Sequence, residues 1–374
     1  MTISQYWNSK LFKVLFNLIK KELRNQIIFI YIRIDVCFNY YRSDKKLKFK
    51  CPECKTMYNL EDRKIPQNTN IKIKCPKCQF HLNLEDNIIF DNKNDNKKTN
   101  LKTKMLENAK ALPPLPEVLM KAKEIMKDET KGLKDLADVL EKDQAMATRV
   151  LKIANSAYYA IKNPVSSIRE ACVILGGDTL MQMITLASTA KLLGKELLGY
   201  SISAGEVFSH SVFVAFASQL IAEKKFPSLA IDAFSAGLMH DAGKLILNDL
   251  METRKDDFNK FVSTGLKIFQ AEKRLFGFDH SEIGHDFLGK WNIPDSQTKA
   301  IRWHHEPEKS EKNPLAHIIH IANSMSLLLP EENTRDMDVC KISLGIIGLN
   351  DDEVVSIRFE AIDITEAIFH GFID

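Results

Sequence analysis

The feature that most limits what this chain can become is a pair of Cys-x-x-Cys steps, Cys51 with Cys54 and Cys75 with Cys78, about twenty residues apart. Thiols in that spacing match a four-cysteine zinc site, in which two tight turns each present two thiolates to one ion. A proline, Pro52 or Pro76, follows the leading cysteine of each step, and its fixed φ favours such a turn. Residues 47 to 86 are therefore predicted to form a small β unit, in which two strand-like stretches each run into a Cys-Pro-x-Cys knuckle. A unit of about forty residues buries too little apolar surface to fold unaided, so zinc is expected to supply its folding free energy. Four protein ligands leave no open position for water or substrate, which makes the expected zinc structural. His81, just past Cys78, reads as a surface imidazole and not as a further ligand.

The other cysteines, Cys37, Cys172 and Cys340, are scattered. This is metal-ligand usage, not a secreted disulfide framework, and it predicts a reducing, cytoplasmic setting. The apolar run Ile27 to Ile34 ends at Asp35, well short of the ~20 residues that a spanning helix needs. It lacks a small-residue cleavage site, so it does not read as a signal peptide. Residues 1 to 46 are expected to be an N-terminal extension, either an amphipathic surface helix or sequence ahead of the true translation start.

Charge is divided unevenly. Residues 1 to 104 hold 22 Lys and Arg against 10 Asp and Glu, so the basic excess lies around the cysteines while the remainder is acidic. A basic segment can bind nucleic acid or an anionic surface. Four thiolates on one zinc ion also leave a charge of about −2, which Lys48, Lys50, Lys55, Lys72, Lys74 and Lys77 would offset. Compensation is preferred over nucleic-acid binding, because no aromatic stacking set accompanies the lysines.

From 87 to 104 the composition is rich in Asn, Asp, Lys and Thr and predicts a solvated linker. Residues 105 to 374 read as mainly α. Leu133, Leu136, Ala137 and Leu140 recur with helical spacing, as do Val212, Ala215 and Phe216. Pro116, Pro164, Pro227, Pro294, Pro307 and Pro314 mark expected helix boundaries. Leu192, Leu193, Leu197 and Leu198 form an apolar stripe expected in the core.

Within this helical part lie His210, His240-Asp241, His280 and His304-His305. Imidazoles with one carboxylate are what a hydrolytic metal centre uses: neutral nitrogens hold the cation, an aspartate can bridge two ions, and bound water becomes nucleophilic near neutral pH. Lys244 follows His240 by four and Asp241 by three, so on a helix it shares their face and could neutralise a phosphate. His317, His320 and His370 read as satisfied or surface histidines instead. Gly176-Gly177 and Gly243-Lys244 lack the glycine spacing of a P-loop, and no Gly-x-Ser-x-Gly elbow occurs.

Two resemblances follow from these motifs. Cys51-Pro52-Glu53-Cys54 and Cys75-Pro76-Lys77-Cys78 resemble the short zinc ribbons at the start of many bacterial proteins. An ordered series resembles the HDOD (HD-related output) domain: Leu112-Pro113-Pro114-Leu115-Pro116, Asp143, Leu151 to Ser156, Ser167-Ile168, Leu175-Gly176, Gly237 to Lys244, Asp279 to Gly284, Trp291 to Pro294 and His304 to Pro307. The resemblance implies a multi-helical HD-like fold that serves signalling output without catalysis. It also implies kinship with HD phosphohydrolases, including those that cleave cyclic diguanylate.

Two departures weaken the catalytic expectation. Asn323 stands where the HD set closes with an aspartate, and no Gly-Tyr-Pro follows His304-His305-Glu306. A neutral amide is a poorer cation ligand than a carboxylate. The expected function is therefore a non-catalytic signalling module that binds a protein partner or a small ligand such as a nucleotide, with the ribbon helping to localise or dimerise it. The alternative is a metal-dependent phosphodiesterase in which His210, His240, Asp241, His280, His304 and His305 hold divalent cations, Asp241 bridges and Lys244 contacts phosphate.

Overall fold

A computed structural model describes residues 46–51, 53–61, 72–79, 81–83, 88–89, 95–108, 116–326 and 341–373. The expectations for residues 1 to 45, Ile27 to Ile34, Cys37, Leu112 to Leu115 and Cys340, and for the side chains of His81 and His370, lie outside the described residues. The chain divides into two compact units, Met1–Asn92 with Asn259–Lys267, and Lys93–Phe258 with Ile268–Asp374.

The first unit contains the predicted ribbon. Strand β1 (Lys46–Lys50) pairs antiparallel with β2 (Met57–Glu61), with Phe49 opposite Tyr58, and its other edge takes β5 (Ile88–Ile89). Strand β3 (Lys72–Lys74) pairs antiparallel with β4 (His81–Asn83), with Ile73 opposite Leu82. As expected, β1 delivers Cys51 and β3 delivers Cys75.

The second unit is helical. Helix α1 (Asp95–Asn108) occupies most of the segment predicted to be a solvated linker. Composition misled there, because the helix is docked by an ion pair that composition does not reveal: Lys102 Nζ lies 2.5 Å from Glu282 and 2.8 Å from Asp286. Helices α2 (Glu117–Lys127), α3 (Leu133–Glu141) and α4 (Gln144–Ala154) follow. Pro116 stands just before α2, and Asp143 caps α4, accepting a hydrogen bond from the amide of Met146. In α3, Leu136, Ala137 and Leu140 face the core while Leu133 is exposed.

Helix α5 (Ile168–Leu193) starts at Ser167, which accepts from the Glu170 amide, and breaks its helical dihedrals at Gly176, where φ is 78°. Among the described residues it is the one helix long and apolar enough to cross a membrane, yet 56% of its apolar window is buried inside the unit, as in a core helix. Beyond it, Leu197 is buried and Leu198 is exposed, correcting the expected four-leucine stripe.

Helix α6 (Glu206–Lys225) is the central element; α7 (Ala230–Met239), α13 (Pro314–Ser326) and α15 (Asp351–Ile373) pack against it. Phe216 of α6 and Phe234 of α7 meet edge to face at 5.1 Å, each almost fully buried. Aromatic pairs of this geometry add to the area term that drives burial. The second unit also holds α8 (Ala242–Glu252), the start of α9 (Lys255–Ser263), whose residues from Asn259 on belong to the first unit, α10 (Ile268–Phe276), α11 (His280–Lys290), α12 (Asp295–Trp303) and α14 (Lys341–Ile347). Pro294 precedes α12 and Pro314 opens α13, as predicted for boundary prolines.

Candidate functional site

In the ribbon, the four cysteine sulfurs lie within 4.8 Å of one another. Cys51 Sγ is 3.6 Å from Cys78 Sγ, and Cys54 Sγ is 3.6 Å from Cys75 Sγ. A tetrahedral zinc with ~2.3 Å bonds sets its sulfurs about 3.8 Å apart, so the cluster fits that ion. Both knuckles close alike: Lys55 N donates to Cys51 O at 3.0 Å, and Gln79 N donates to Cys75 O at 2.9 Å. Lys55 and Gln79 each adopt positive φ, 58° and 61°, at the same step past the second cysteine.

The six expected ligands of the helical unit converge. His210 comes from α6, His240 and Asp241 from the α7–α8 junction, His280 from the first turn of α11, and His304 and His305 from the end of α12. They form two groups of donor atoms, His210 with His240 and Asp241, and His280 with His304 and His305. The chain leaves α7 at His240 and enters α8 at Asp241, so these residues and Lys244 do not share one continuous helix. Lys244 nevertheless reaches Asp241 Oδ2 at 2.6 Å.

Asp241 connects the groups. Its Oδ2 is 3.4 Å from His240 Nε2 and 3.6 Å from His210 Nε2, while its Oδ1 is 3.2 Å from His280 Nε2. One carboxylate oxygen thus faces each group, the placement a bridging ligand needs.

The imidazoles are aimed from behind. His240 Nδ1 donates to Gly237 O at 2.8 Å, and His304 Nδ1 donates to Ile301 O at 2.7 Å, which leaves Nε2 of each ring as the inward donor atom. His280 Nδ1 meets Glu272 Oε2 at 2.7 Å, and His210 Nδ1 meets Ser326 Oγ at 3.2 Å. The Nε2 atom of His304 is buried without a hydrogen-bond partner. Nε2 atoms of neighbouring rings face each other at 3.2 Å in the His210–His240 pair and 2.9 Å in the His280–His305 pair. Two nitrogens bound at right angles to one ion at ~2.1 Å would be about 3.0 Å apart, so the donor set fits a divalent cation.

Protonation follows the same geometry. Burial, reinforced by His240, pushes His210 down to about 3. Burial and the surrounding imidazoles hold His304 and His305 well below the usual histidine range, in the neutral form that binds metal. Burial opposes protonation of His280, but Glu272 and Asp241 outweigh it and raise the group to about 9. Burial would likewise raise Asp241; His240 and Lys244 overcome it and hold the carboxyl well below its usual range.

Asn323 lies close to His210, placing a neutral amide beside the first group. His317 and His320 are buried and bonded through Nδ1: His317 Nδ1 meets Ser343 Oγ at 3.0 Å, and His320 Nδ1 donates to His304 O at 2.7 Å. The sequence reading missed Glu272, Tyr200 and Phe269. A signal was available, because Glu272 lies between Phe269 and Phe276 at helical spacing, a carboxylate set in an apolar stripe.

The sequence profile of the HDOD domain matches residues 112–307, and that of a zinc-ribbon domain matches residues 48–82. A solved HDOD domain protein with unknown function from Geobacter sulfurreducens superimposes with a TM-score of 0.62 at 25% identity, covering 75% of this chain and 99% of that one. A presumed phosphohydrolase from Shewanella amazonensis SB2B superimposes with a TM-score of 0.56 at 21% identity, covering 71% and 96%, a likeness of fold alone. An uncharacterized protein of Treponema pallidum is 23% identical over 242 residues, which cover 60% of this chain and 44% of that protein. The chain thus spans less than half the length of this curated relative.

Proposed function

The chain belongs to the HDOD family, and from that premise we propose that it is a regulatory output protein: its helical unit recognises a protein partner or small ligand, and its histidine pocket holds a divalent cation without using it for hydrolysis. The ribbon, carrying structural zinc, serves to localise or dimerise the chain.

Charge carries this reading. Among the described residues of the two donor groups, Asp241 is the single carboxylate, and the Lys244 ammonium 2.6 Å away already neutralises it. Asn323 adds a dipole beside His210 where a carboxylate would add charge. Two divalent cations brought close together need anionic ligands to offset their repulsion, and this pocket supplies too few. It suits one cation held mainly by imidazoles better than a pair activating water.

Phosphodiester hydrolysis is the second reading, favoured by Asp241 reaching both donor groups. Metal content and turnover of a cyclic dinucleotide by the purified full chain separate the two. The regulatory reading expects no turnover in the natural protein and higher cation occupancy in Asn323→Asp. Turnover abolished by Asp241→Asn would establish the hydrolase instead.

A further inference from the structure

Helix α10 contributes no ligand to the pocket, yet it contacts two of them. Glu272 is completely buried, and a carboxylate in that position is costly unless its oxygens are fully bonded. They are: Tyr200 Oη donates to Oε1 at 2.7 Å, while the backbone N–H of His280 donates to Oε2 at 2.8 Å and the Nδ1–H of His280 to the same oxygen at 2.7 Å. The start of α11 is already capped by Asp279, which accepts from the Glu282 amide, so capping does not require the bond to the ring. Three residues before Glu272, Phe269 stacks on His305 with centroids 4.6 Å apart and planes 9° from parallel. One face of α10 therefore orients both rings whose Nε2 atoms stand 2.9 Å apart.

We infer that Glu272, clamped by Tyr200, is a positioning residue that fixes the Nδ1–H tautomer and orientation of His280, so that His280 and His305 form the grip on the pocket's cation. This rests on the cation-holding reading above. A carboxylate behind a ligating imidazole makes the ring a stronger donor, and its loss typically weakens metal binding by about 10–100-fold. Tyr200 contributes by holding Glu272 in place from a site that touches no ligand.

The test uses the full chain with zinc in its ribbon and Mn2+ as the probe, because thiolates select zinc and leave Mn2+ to the nitrogen and oxygen pocket. Mn2+ binding is read from loss of the free-ion electron paramagnetic resonance signal, beside the His280 Nδ1–H proton resonance and the melting temperature. Glu272→Gln keeps shape and an acceptor while removing charge; it should weaken Mn2+ by about tenfold and shift the His280 resonance with melting nearly unchanged. Glu272→Ala should weaken Mn2+ by up to about 100-fold and abolish the resonance. Tyr200→Phe, which keeps the carboxylate, should fall between Glu272→Gln and the natural protein. Natural protein that binds Mn2+, with Glu272→Gln and Tyr200→Phe binding equally tightly, would overturn this inference alone. Natural protein that takes up no Mn2+ would overturn the cation reading together with it.

Discussion

A β-carbon on Gly243 would stand 1.9 Å from the carbonyl oxygen of His280. The glycine of the His240-Asp241-Ala242-Gly243-Lys244 run is therefore a contact between backbones: it lets α8 lie directly on the first turn of α11 and brings Asp241 within reach of His280 Nε2 at 3.2 Å.

Substitution there should be severe. Gly243→Ala forces backbone away from backbone, with no flexible side chain to yield, and is expected to cost about 3 kcal/mol or more and to disrupt the pocket. Gly284, across the same contact, has 3.4 Å or more around an added β-carbon. Gly284→Ala should therefore change stability by less than about 1 kcal/mol, helped by the better helix propensity of alanine. Chemical denaturation of the two variants provides the comparison.

The ribbon offers a gain-of-stability test. Lys55 and Gln79 hold left-handed backbone without being glycine, a conformation that costs an ordinary residue about 1 kcal/mol. Gln79→Gly, which removes no charge, should tighten zinc by up to about fivefold in a chelator competition. Cys54→Ser should abolish stoichiometric zinc in the same assay.

Acid sensitivity should trace partly to Asp279, which is 1% exposed. Burial raises its pKa, but His280, Lys273, the Ser281 hydroxyl and the Glu282 amide prevail and bring it down to about 2. A carboxyl depressed on folding stabilises the protein above its unfolded pKa of about 4, and that contribution is lost as pH falls from about 4 towards 2. It amounts to about 2 kcal/mol. Asp279→Asn keeps a capping side chain while removing the charge, so urea unfolding between pH 5 and about 2 should show a flatter pH dependence than in the natural protein.

Docking of α1 should depend on one lysine. Lys102 keeps its proton more firmly than usual: burial opposes this, but Asp286 and Glu282 outweigh it. The pair is partly exposed, so Lys102→Ala should cost only up to about 1 kcal/mol globally. Amide exchange within 95–108 should nevertheless accelerate strongly, and Lys102→Glu should accelerate it further by placing like charges together.

Much of the candidate site was legible because its chemistry is written in residue type. Histidines clustered with one aspartate marked the pocket, and Cys-x-x-Cys spacing marked the ribbon, since knuckle geometry is local and spans only a few residues. What failed to read was distance. The polar segment before residue 105 reads as linker because nothing local announces that Lys102 will meet Glu282 and Asp286, some 180 residues on. Glu272 sits in the apolar spacing of Phe269 and Phe276, but nothing in that stretch names Tyr200 or His280 as its partners.

By itself, then, the sequence determined which atoms could bind a cation, that helices begin at Pro116, Pro294 and Pro314, and that a four-thiol turn pair precedes a helical unit. These follow from side-chain chemistry and from dihedral preferences that act within a few residues. Only the tertiary structure decided that Asp241 faces both donor groups, that Gly243 lets two helix ends touch, and that Glu272 is buried behind His280. Those are matters of which helix packs on which, set by burial summed over the whole unit, and no short stretch of chain contains that sum.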